Sequence, residues 1–251
     1  MLKKRKEIKN MSIMNWIKDE TVAIITLTNG ENRQNLVFAK TLNAMLDEII
    51  ADKSITALII TSNDEKNFSQ GIDVVWITGQ LQKNEHQPVN DFINEMDIVF
   101  KKLILYPVPV IAAINGHAFG NGSILSCACD FRFMRSDKGF FCFPEVNIGI
   151  PFRWGMNAFV KKAIPLHIFS QMQFTGNRFT APELEKHNII VKACANQEDL
   201  MASAITFAKT FQKKRGIFGE LKKRLYNDII KVLDADYMPP SAKIDSLLIS
   251  D

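Results

Sequence analysis

The chain has 251 residues, of which 47% are hydrophobic and 23% are charged, a composition that is ordinary for a globular protein. This length allows a large core, in one domain with an appendage or in two small domains. The formal net charge is only +4, and part of the excess lies in the first nine residues, so charge alone does not indicate a nucleic-acid-binding or membrane-bound protein.

The N-terminal segment, residues 1–14, is basic, and we predict that it is a flexible extension. Contact of this tail with nucleic acid or a membrane is the alternative. The segment lacks the apolar stretch of a secretory signal, and the last residues, LLISD, are not a peroxisomal address. No apolar run approaches the roughly 18 residues that span a bilayer. We therefore expect a cytoplasmic protein.

Hydrophobic patterns predict an α/β fold for the first part of the chain. Apolar, β-branched runs predict strands, and apolar residues at helical spacing predict helices. Strand, helix, strand, helix and strand follow one another at residues 21–28, 36–50, 55–62, 89–104 and 109–114. This alternation favours parallel strands joined by crossover helices.

The pattern changes after residue 151, where helical spacing dominates. We predict helices at 157–164, 182–187, 197–211 and 219–235, with one short strand at 189–191. We therefore divide the chain into an α/β core, residues 15–195, and a C-terminal helical region, residues 196–251. The helical region either assembles subunits or packs back on its own core.

The cysteines and histidines show no metal-ligand spacing. The sequence contains no C-x-x-C pair, and two of the four cysteines lie in an apolar, helix-like run, so we expect buried thiols and no metal. The eight residues are Cys127, Cys129, Cys142 and Cys194, with His86, His117, His167 and His187.

Two turns follow neighbouring predicted strands. The first is FSQGID at residues 68–73 and the second is GHAFGNG at residues 116–122. Ligands bind open α/β sheets at the carboxyl ends of strands, and a turn that opens a helix presents unpaired N–H groups at the positive end of the helix dipole. Downstream, the pair Pro144-Glu145 supplies a carboxylate. These parts suit chemistry through an enolate.

Three segments carry a resemblance to a known family: NFSQGID, AAINGHAFGNGSILSCACDFRFM and FPEVNIGIP. In order and spacing they resemble the crotonase superfamily, the enoyl-CoA hydratases and isomerases, over residues 22–194. The resemblance implies a crotonase-like spiral of ββα units with a C-terminal helical oligomerisation region. It also implies a homotrimer or hexamer and an acyl-CoA substrate. No separate cofactor is implied, because coenzyme A is part of the substrate.

The resemblance also assigns an oxyanion hole, formed by the backbone N–H groups of Ile72 and Asn121. Such donors stabilise negative charge as it develops on a thioester oxygen. Asn121 stands where the family commonly has glycine. Its side chain would lie near the thioester carbonyl and either donates a further hydrogen bond there or only caps the helix.

Hydratases of this family use two glutamates, and the resemblance places them at Ile124 and Glu145. Isoleucine cannot activate water, so one carboxylate is left, in apolar surroundings that should raise its pKa. A single base over an oxyanion hole suits a Δ3–Δ2-enoyl-CoA isomerase of unsaturated fatty-acid oxidation. The alternatives are another crotonase-type reaction (thioester hydrolysis, decarboxylation or weak hydration) and a non-catalytic acyl-CoA or RNA binder.

The residues that would contact coenzyme A are less sharply defined. The resemblance implies that backbone groups of the first turn, at Ser69, Gln70 and Ile72, meet the adenine. It also points to Arg33 as a phosphate partner, although Arg33 is equally well an exposed loop residue. Residues 74–76 would line an acyl pocket or belong to the core. Residues 222–224 would approach phosphates or form a solvated face, and Asp130 would fix the local backbone.

Overall fold

The computed structural model describes residues 13–239, so most of the predicted extension at residues 1–14 lies outside the described residues. The strands are β1 (Met14–Asp19), β2 (Val22–Leu27), β3 (Ala57–Ser62), β4 (Asn67–Ser69), β5 (Val110–Ile114), β6 (His117–Phe119), β7 (Phe131–Arg135), β8 (Phe141–Cys142) and β9 (Lys192–Cys194). The helices are α1 (Leu36–Ala51), α2 (Val74–Gln82), α3 (His86–Leu105), α4 (Asn121–Ala128), α5 (Glu145–Ile148), α6 (Trp154–Val160), α7 (Leu166–Thr175), α8 (Ala181–Lys186), α9 (Gln197–Lys209), α10 (Arg215–Leu225) and α11 (Asn227–Ala235).

A six-stranded sheet in the order β1-β2-β3-β5-β7-β9 forms the centre of the fold. β1 is antiparallel to β2, and the other neighbours are parallel, which confirms the predicted α/β class. Strand β3 has the sequence ALIITS and is buried along its whole length, as expected for a strand covered on both faces. The sequence-based prediction missed β1, whose first residue, Met14, is fully buried.

Helices cover both faces of this sheet. Ile59 and Ile111 face α9, which contributes Leu200, Ala204 and Ala208 to the smaller of the two apolar clusters. Successive side chains of a strand point to opposite faces, so the neighbouring residues of β3 and β5 face α1 and α3 in the larger cluster. The apolar helical patterns at residues 36–50 and 89–104 are thus explained by burial against the sheet.

A second, three-stranded parallel sheet, β4-β6-β8, lies beside the large one. Three times along the chain, a strand of the large sheet is followed by a strand of the small sheet and then by a helix: β3-β4-α2, β5-β6-α4 and β7-β8-α5. This repeat is the spiral of ββα units that the resemblance implied. It also corrects one prediction, because the segments predicted as turns, 68–73 and 116–122, contain residues of the short strands β4 and β6, and the turns proper follow these strands and not β3 and β5.

The C-terminal helices pack back on the core. The ammonium of Lys222 on α10 is buried and lies 2.8 Å from the Asp130 carboxylate, and the backbone N–H of Gly155 donates to Asp236 after α11. The predicted helix at 219–235 is two helices, which meet at Tyr226. The predicted strand at 189–191 lies instead at Lys192–Cys194, and α7 was not predicted. Between residues 13 and 239, no helix is long and apolar enough to cross a bilayer.

Candidate active site

The three strands of the small sheet deliver the three parts of the candidate site. Ile72 follows β4, Asn121 follows β6, and Glu145 follows β8. Because β4, β6 and β8 are parallel, their carboxyl ends meet at one edge, and the residues beyond them converge. The structure therefore brings the predicted base together with both predicted oxyanion-hole residues.

The turn after β4 lies directly against the start of helix α4. Gly71 has a φ of +78°, and a Cβ on it would lie 2.6 Å from the Phe119 oxygen and 3.0 Å from the Asn121 nitrogen. A Cβ on Gly122 would collide with the Ser69 carbonyl oxygen. Two glycines, one on each segment, therefore allow the close approach.

The two N–H groups of the predicted hole are available to a ligand. Asn121 is the first residue of α4, where a backbone N–H has no partner within the helix. The N–H of Ile72 donates to no acceptor in the described part of the chain. Both residues also line the same cavity.

Glu145 is a half-buried carboxylate at the first position of α5. Burial raises its pKa from 4.5 to about 7, and a hydrogen bond from the backbone opposes part of this shift. Its Oε2 atom is buried without a hydrogen-bond partner among the described residues. Such a carboxyl changes protonation state near neutral pH, as a general base must. The expected apolar neighbours are only partly present, because Val146 is 52% exposed.

A cavity of about 270 Å³ joins these groups to a largely apolar wall. Helices α2 and α3 and the stretch 148–156 supply most of that wall. Its apolar side chains include Val74, Ile77, Leu81, Val89, Phe92, Ile93, Met96, Ile124, Phe152 and Met156. Among the described residues that line the cavity, Glu145 is the only carboxylate.

The acyl-pocket alternative for residues 74–76 is only partly supported. Val74 lines the cavity, whereas Val75 is exposed and Trp76 packs edge-on against Phe92, with ring centroids 5.8 Å apart. The contribution of α3 to the cavity was not predicted. Its apolar residues indicated only a helix that packs on the core.

The predicted coenzyme A contacts fall into two groups. Arg33 and Gln70 line the cavity, and the Arg33 guanidinium is partly exposed, 2.8 Å from the Glu31 carboxylate. Ser69 is fully buried, and its hydroxyl accepts the Gly71 N–H and donates to the Asn32 carbonyl oxygen. It also accepts a hydrogen bond from Gln34 Nε2, so three contacts of the protein itself occupy the Ser69 hydroxyl and close it to a ligand.

The side chain of Asn121 does not cap helix α4. Gly120 is the N-cap residue, and the Asn121 Nδ2 group donates a 2.5 Å hydrogen bond to Oε1 of Gln34. The predicted cap is therefore wrong, and the amide donates to Gln34, whereas a hydrogen bond from this side chain to a substrate carbonyl stays a prediction. The resemblance places the loop 32–36, which includes Gln34, beside the pantetheine and phosphates, but sequence reasoning did not predict the contact of Gln34 with Asn121.

The other residues that the sequence singled out have contacts that indicate structural roles. Asp130 accepts the Val110 N–H and pairs with Lys222, which removes Lys222 from the possible phosphate contacts. Arg224 is exposed and pairs with Glu220. All four cysteines are buried and free. Within residues 13–239, no three His, Cys, Asp or Glu side chains cluster as a metal site requires.

Comparisons with known proteins show the family of the chain. The family model for enoyl-CoA hydratase/isomerase matches residues 18–237. Enoyl-CoA delta isomerase 2, peroxisomal, of Arabidopsis thaliana is 27% identical over 217 residues, 84% of this chain and 90% of the relative. Enoyl-CoA hydratase domain-containing protein 3, mitochondrial, of Rattus norvegicus is 29% identical over 231 residues, 90% of this chain and 75% of the relative.

The solved structures show the same fold. A probable enoyl-CoA hydratase from Mycobacterium tuberculosis superposes with a TM-score of 0.78 at 22% identity, covering 90% of this chain and 93% of the other. At that identity the likeness establishes the crotonase fold alone. Because the family model spans nearly the whole described chain, the protein belongs to the enoyl-CoA hydratase/isomerase family.

Proposed function

We propose that this protein is a Δ3–Δ2-enoyl-CoA isomerase of unsaturated fatty-acid oxidation. The observation that carries the proposal is that one carboxylate, that of Glu145, lines the cavity within residues 13–239. Glu145 faces the same space as the Ile72 and Asn121 backbone, and Ile124 stands where a hydratase of the family needs a second glutamate. One base over two N–H donors suffices to move a proton between two carbons.

The reaction follows from these positions. Glu145 removes a proton from C2 of a 3-enoyl thioester, and the electrons of that C–H bond form an enolate whose oxygen accepts hydrogen bonds from Ile72 and Asn121. The enolate collapses to a C2–C3 double bond, the former C3–C4 double bond opens, and C4 takes the proton back from Glu145. Atoms balance without water or a redox partner, so we propose no cofactor beyond the coenzyme A of the substrate.

Hydration is the reaction from which isomerisation must be distinguished, because relatives bear both kinds of name. The test is a substrate panel for the purified protein: a 3-enoyl-CoA, crotonyl-CoA and a saturated acyl-CoA. We expect conjugated product from the first, negligible hydration of the second and no hydrolysis of the third. Robust hydration of crotonyl-CoA would overturn the proposal. Acyl-CoA binding without turnover would favour a non-catalytic binder.

We also propose a homotrimer or hexamer. Large apolar side chains are exposed on three helices of the C-terminal half: Trp154 is 79%, Phe174 75% and Leu225 72% exposed. Exposed apolar side chains of this size are typical of surfaces that associate. The mass in solution, measured by light scattering, tests this proposal, and a monomer at micromolar concentration would contradict it.

The cytoplasm is our proposed location. The names of two relatives point to other compartments, since one is called peroxisomal and the other mitochondrial. Cell fractionation with an antibody to the full chain decides between the three.

A further inference from the structure

Gln34 occupies a buried position between the two segments that carry the predicted oxyanion hole. Its side chain is fully buried, although the residue belongs to the loop before α1. A buried amide is costly unless its donors and acceptors are used. In this protein both the oxygen and the nitrogen of the Gln34 amide form hydrogen bonds.

The backbone of Gln34 forms hydrogen bonds with the residues on either side of Ile72. The Gln34 N–H donates to the Gly71 carbonyl oxygen at 2.8 Å, and the Asp73 N–H donates to the Gln34 carbonyl oxygen at 2.8 Å. These two bonds hold the residues before and after Ile72, and they leave the Ile72 N–H unused.

The side chain of Gln34 reaches the other half of the hole. Its Oε1 accepts the Asn121 amide at 2.5 Å, and its Nε2 donates to the Ser69 hydroxyl at 3.1 Å and to the Asn121 carbonyl oxygen at 3.4 Å. Ser69 in turn accepts the Gly71 N–H. One residue thus contacts the turn after β4 through its backbone and helix α4 through its amide.

We propose that Gln34 is a positioning residue, whose amide link to Asn121 holds the Ile72 and Asn121 N–H groups at the spacing that binds an enolate oxygen. The inference rests on the proposed function, because it assigns Gln34 to that oxyanion hole. It explains why a polar residue is accepted at position 121, next to an apolar cavity. Preorganised donors stabilise a transition state much less when they are displaced by about 1 Å. Removing a contact that holds them in place should therefore have a measurable effect on the rate.

The first test is Gln34→Met, which keeps the length of the side chain and removes the amide. Because the link acts on the transition state more than on the bound substrate, we expect kcat for a 3-enoyl-CoA to fall about 10- to 100-fold, with KM within about twofold. The matched control is Asn43→Leu, which removes a buried amide that joins α1 to Glu95 of α3 and does not line the cavity. It should cost stability and leave kcat unchanged.

The second test separates this inference from the proposed reaction. The carbonyl stretching frequency of a ¹³C-labelled saturated acyl-CoA reports the strength of the oxyanion hole without turnover. We expect a downshift on binding to the wild type and loss of most of that shift in Gln34→Met. A Gln34-dependent shift in a protein without isomerase activity would uphold the positioning role and reject the proposed function. Wild-type kcat and an unchanged shift in Gln34→Met would overturn the positioning role.

Asn121→Gly provides a second way to break the link, because it removes the side-chain partner and keeps the backbone N–H. It also serves if Gln34→Met does not fold. We expect a loss of kcat in the same direction, and in the double variant a loss smaller than the product of the two single losses, because both changes remove the hydrogen bond between the two amides. Losses that multiply in the double variant would show independent roles and contradict the inference.

Discussion

The carboxylate of Glu145 lies against Gly120, the N-cap residue of helix α4: a Cβ built on Gly120 would come within 3.1 Å of Oε1. Gly120 also has a φ of +51°, in the left-handed region that favours glycine. The proposed base and the backbone of the proposed oxyanion hole are therefore neighbours, with no side chain between them. Their relative position depends on the absence of a methyl group.

Gly120→Ala should for this reason move the Glu145 carboxylate by a few tenths of an ångström and strain the turn. We expect kcat for 3-enoyl-CoA isomerisation to fall about tenfold or more and the free energy of unfolding to fall by about 1–2 kcal/mol. Steady-state kinetics and urea denaturation measure the two effects. Gly79→Ala on α2 is the control, because a Cβ there meets no atom within 4 Å. Wild-type kcat in Gly120→Ala would contradict the geometry.

The pH dependence of activity should follow Glu145. The base acts only when ionised, and burial raises its pKa to about 7, so kcat/KM should rise with pH, reach half its maximum near pH 7 and level off above it. A profile of kcat/KM from pH 4 to 9 tests this expectation. A half-maximum near pH 4.5, the ordinary value for glutamate, would show that the carboxylate is solvated in the working enzyme.

The same pKa shift predicts a cost in stability. The folded pKa of Glu145 lies above the unfolded value, so the folded state binds the proton more tightly and loses stability as pH rises from about 4.5 through 7. Glu145→Gln removes this penalty. Between pH 5 and pH 8, we expect the free energy of unfolding of the variant to increase relative to that of the wild type by about 2 kcal/mol. This figure allows for the partial exposure of Glu145 to solvent. If thermal unfolding gave the same stability difference between variant and wild type at both pH values, the raised pKa of Glu145 would be contradicted.

The size of the cavity predicts which acyl chains are preferred. An apolar cavity of roughly 150 Å³ holds the six carbons of benzene, so 270 Å³ accommodates at most about ten carbons, because Arg33 and Gln70 line the same space. We expect kcat/KM to rise above four carbons, to reach its maximum at or below about ten carbons and to fall beyond about twelve. Ile93→Phe, on the α3 wall, should move the optimum to shorter chains. An optimum at four carbons that Ile93→Phe does not change would contradict the assignment of the cavity to the acyl chain.

The buried ion pair between Lys222 and Asp130 predicts how the C-terminal helices are held. The two side chains are 6% and 9% exposed, and burial alone would lower the lysine pKa, so the ammonium depends on its partner. Lys222→Met leaves the carboxylate buried beside an apolar group and should cost about 3 kcal/mol in chemical denaturation. The activity of the folded fraction should not change. A cost below about 0.5 kcal/mol would show that the pair contributes little.

The sequence predicted the large elements of the fold because their signals are local. The buried strand β3 and the amphipathic helices α1 and α3 each carry an apolar pattern that a single segment reveals. Strands β4 and β6 have three residues each and β8 has two, too few for any periodicity, so the second sheet was missed. Helix α2 has no buried residue, which explains why it was not predicted.

In the candidate site, too, local motifs predicted some residues, whereas contacts between distant residues were not predicted. Glu145, Ile72 and Asn121 were found through short motifs that resemble a family, and the structure brings all three to one cavity. The hydrogen bond between Gln34 and Asn121 joins residues 87 positions apart, and no local pattern predicts which distant amides will meet. The burial of Ser69 could not be predicted either, because the residues that contact its side chain belong to another loop.

The most direct test of the central claim is the rate of 3-enoyl-CoA isomerisation by Glu145→Gln, compared with the wild type at pH 8. Glutamine keeps the shape of the side chain and cannot accept the C2 proton, so we predict a loss of kcat of about 10³-fold or more, with KM within severalfold. A variant that forms the conjugated product within tenfold of the wild-type rate would contradict the role of Glu145 as the single acid and base.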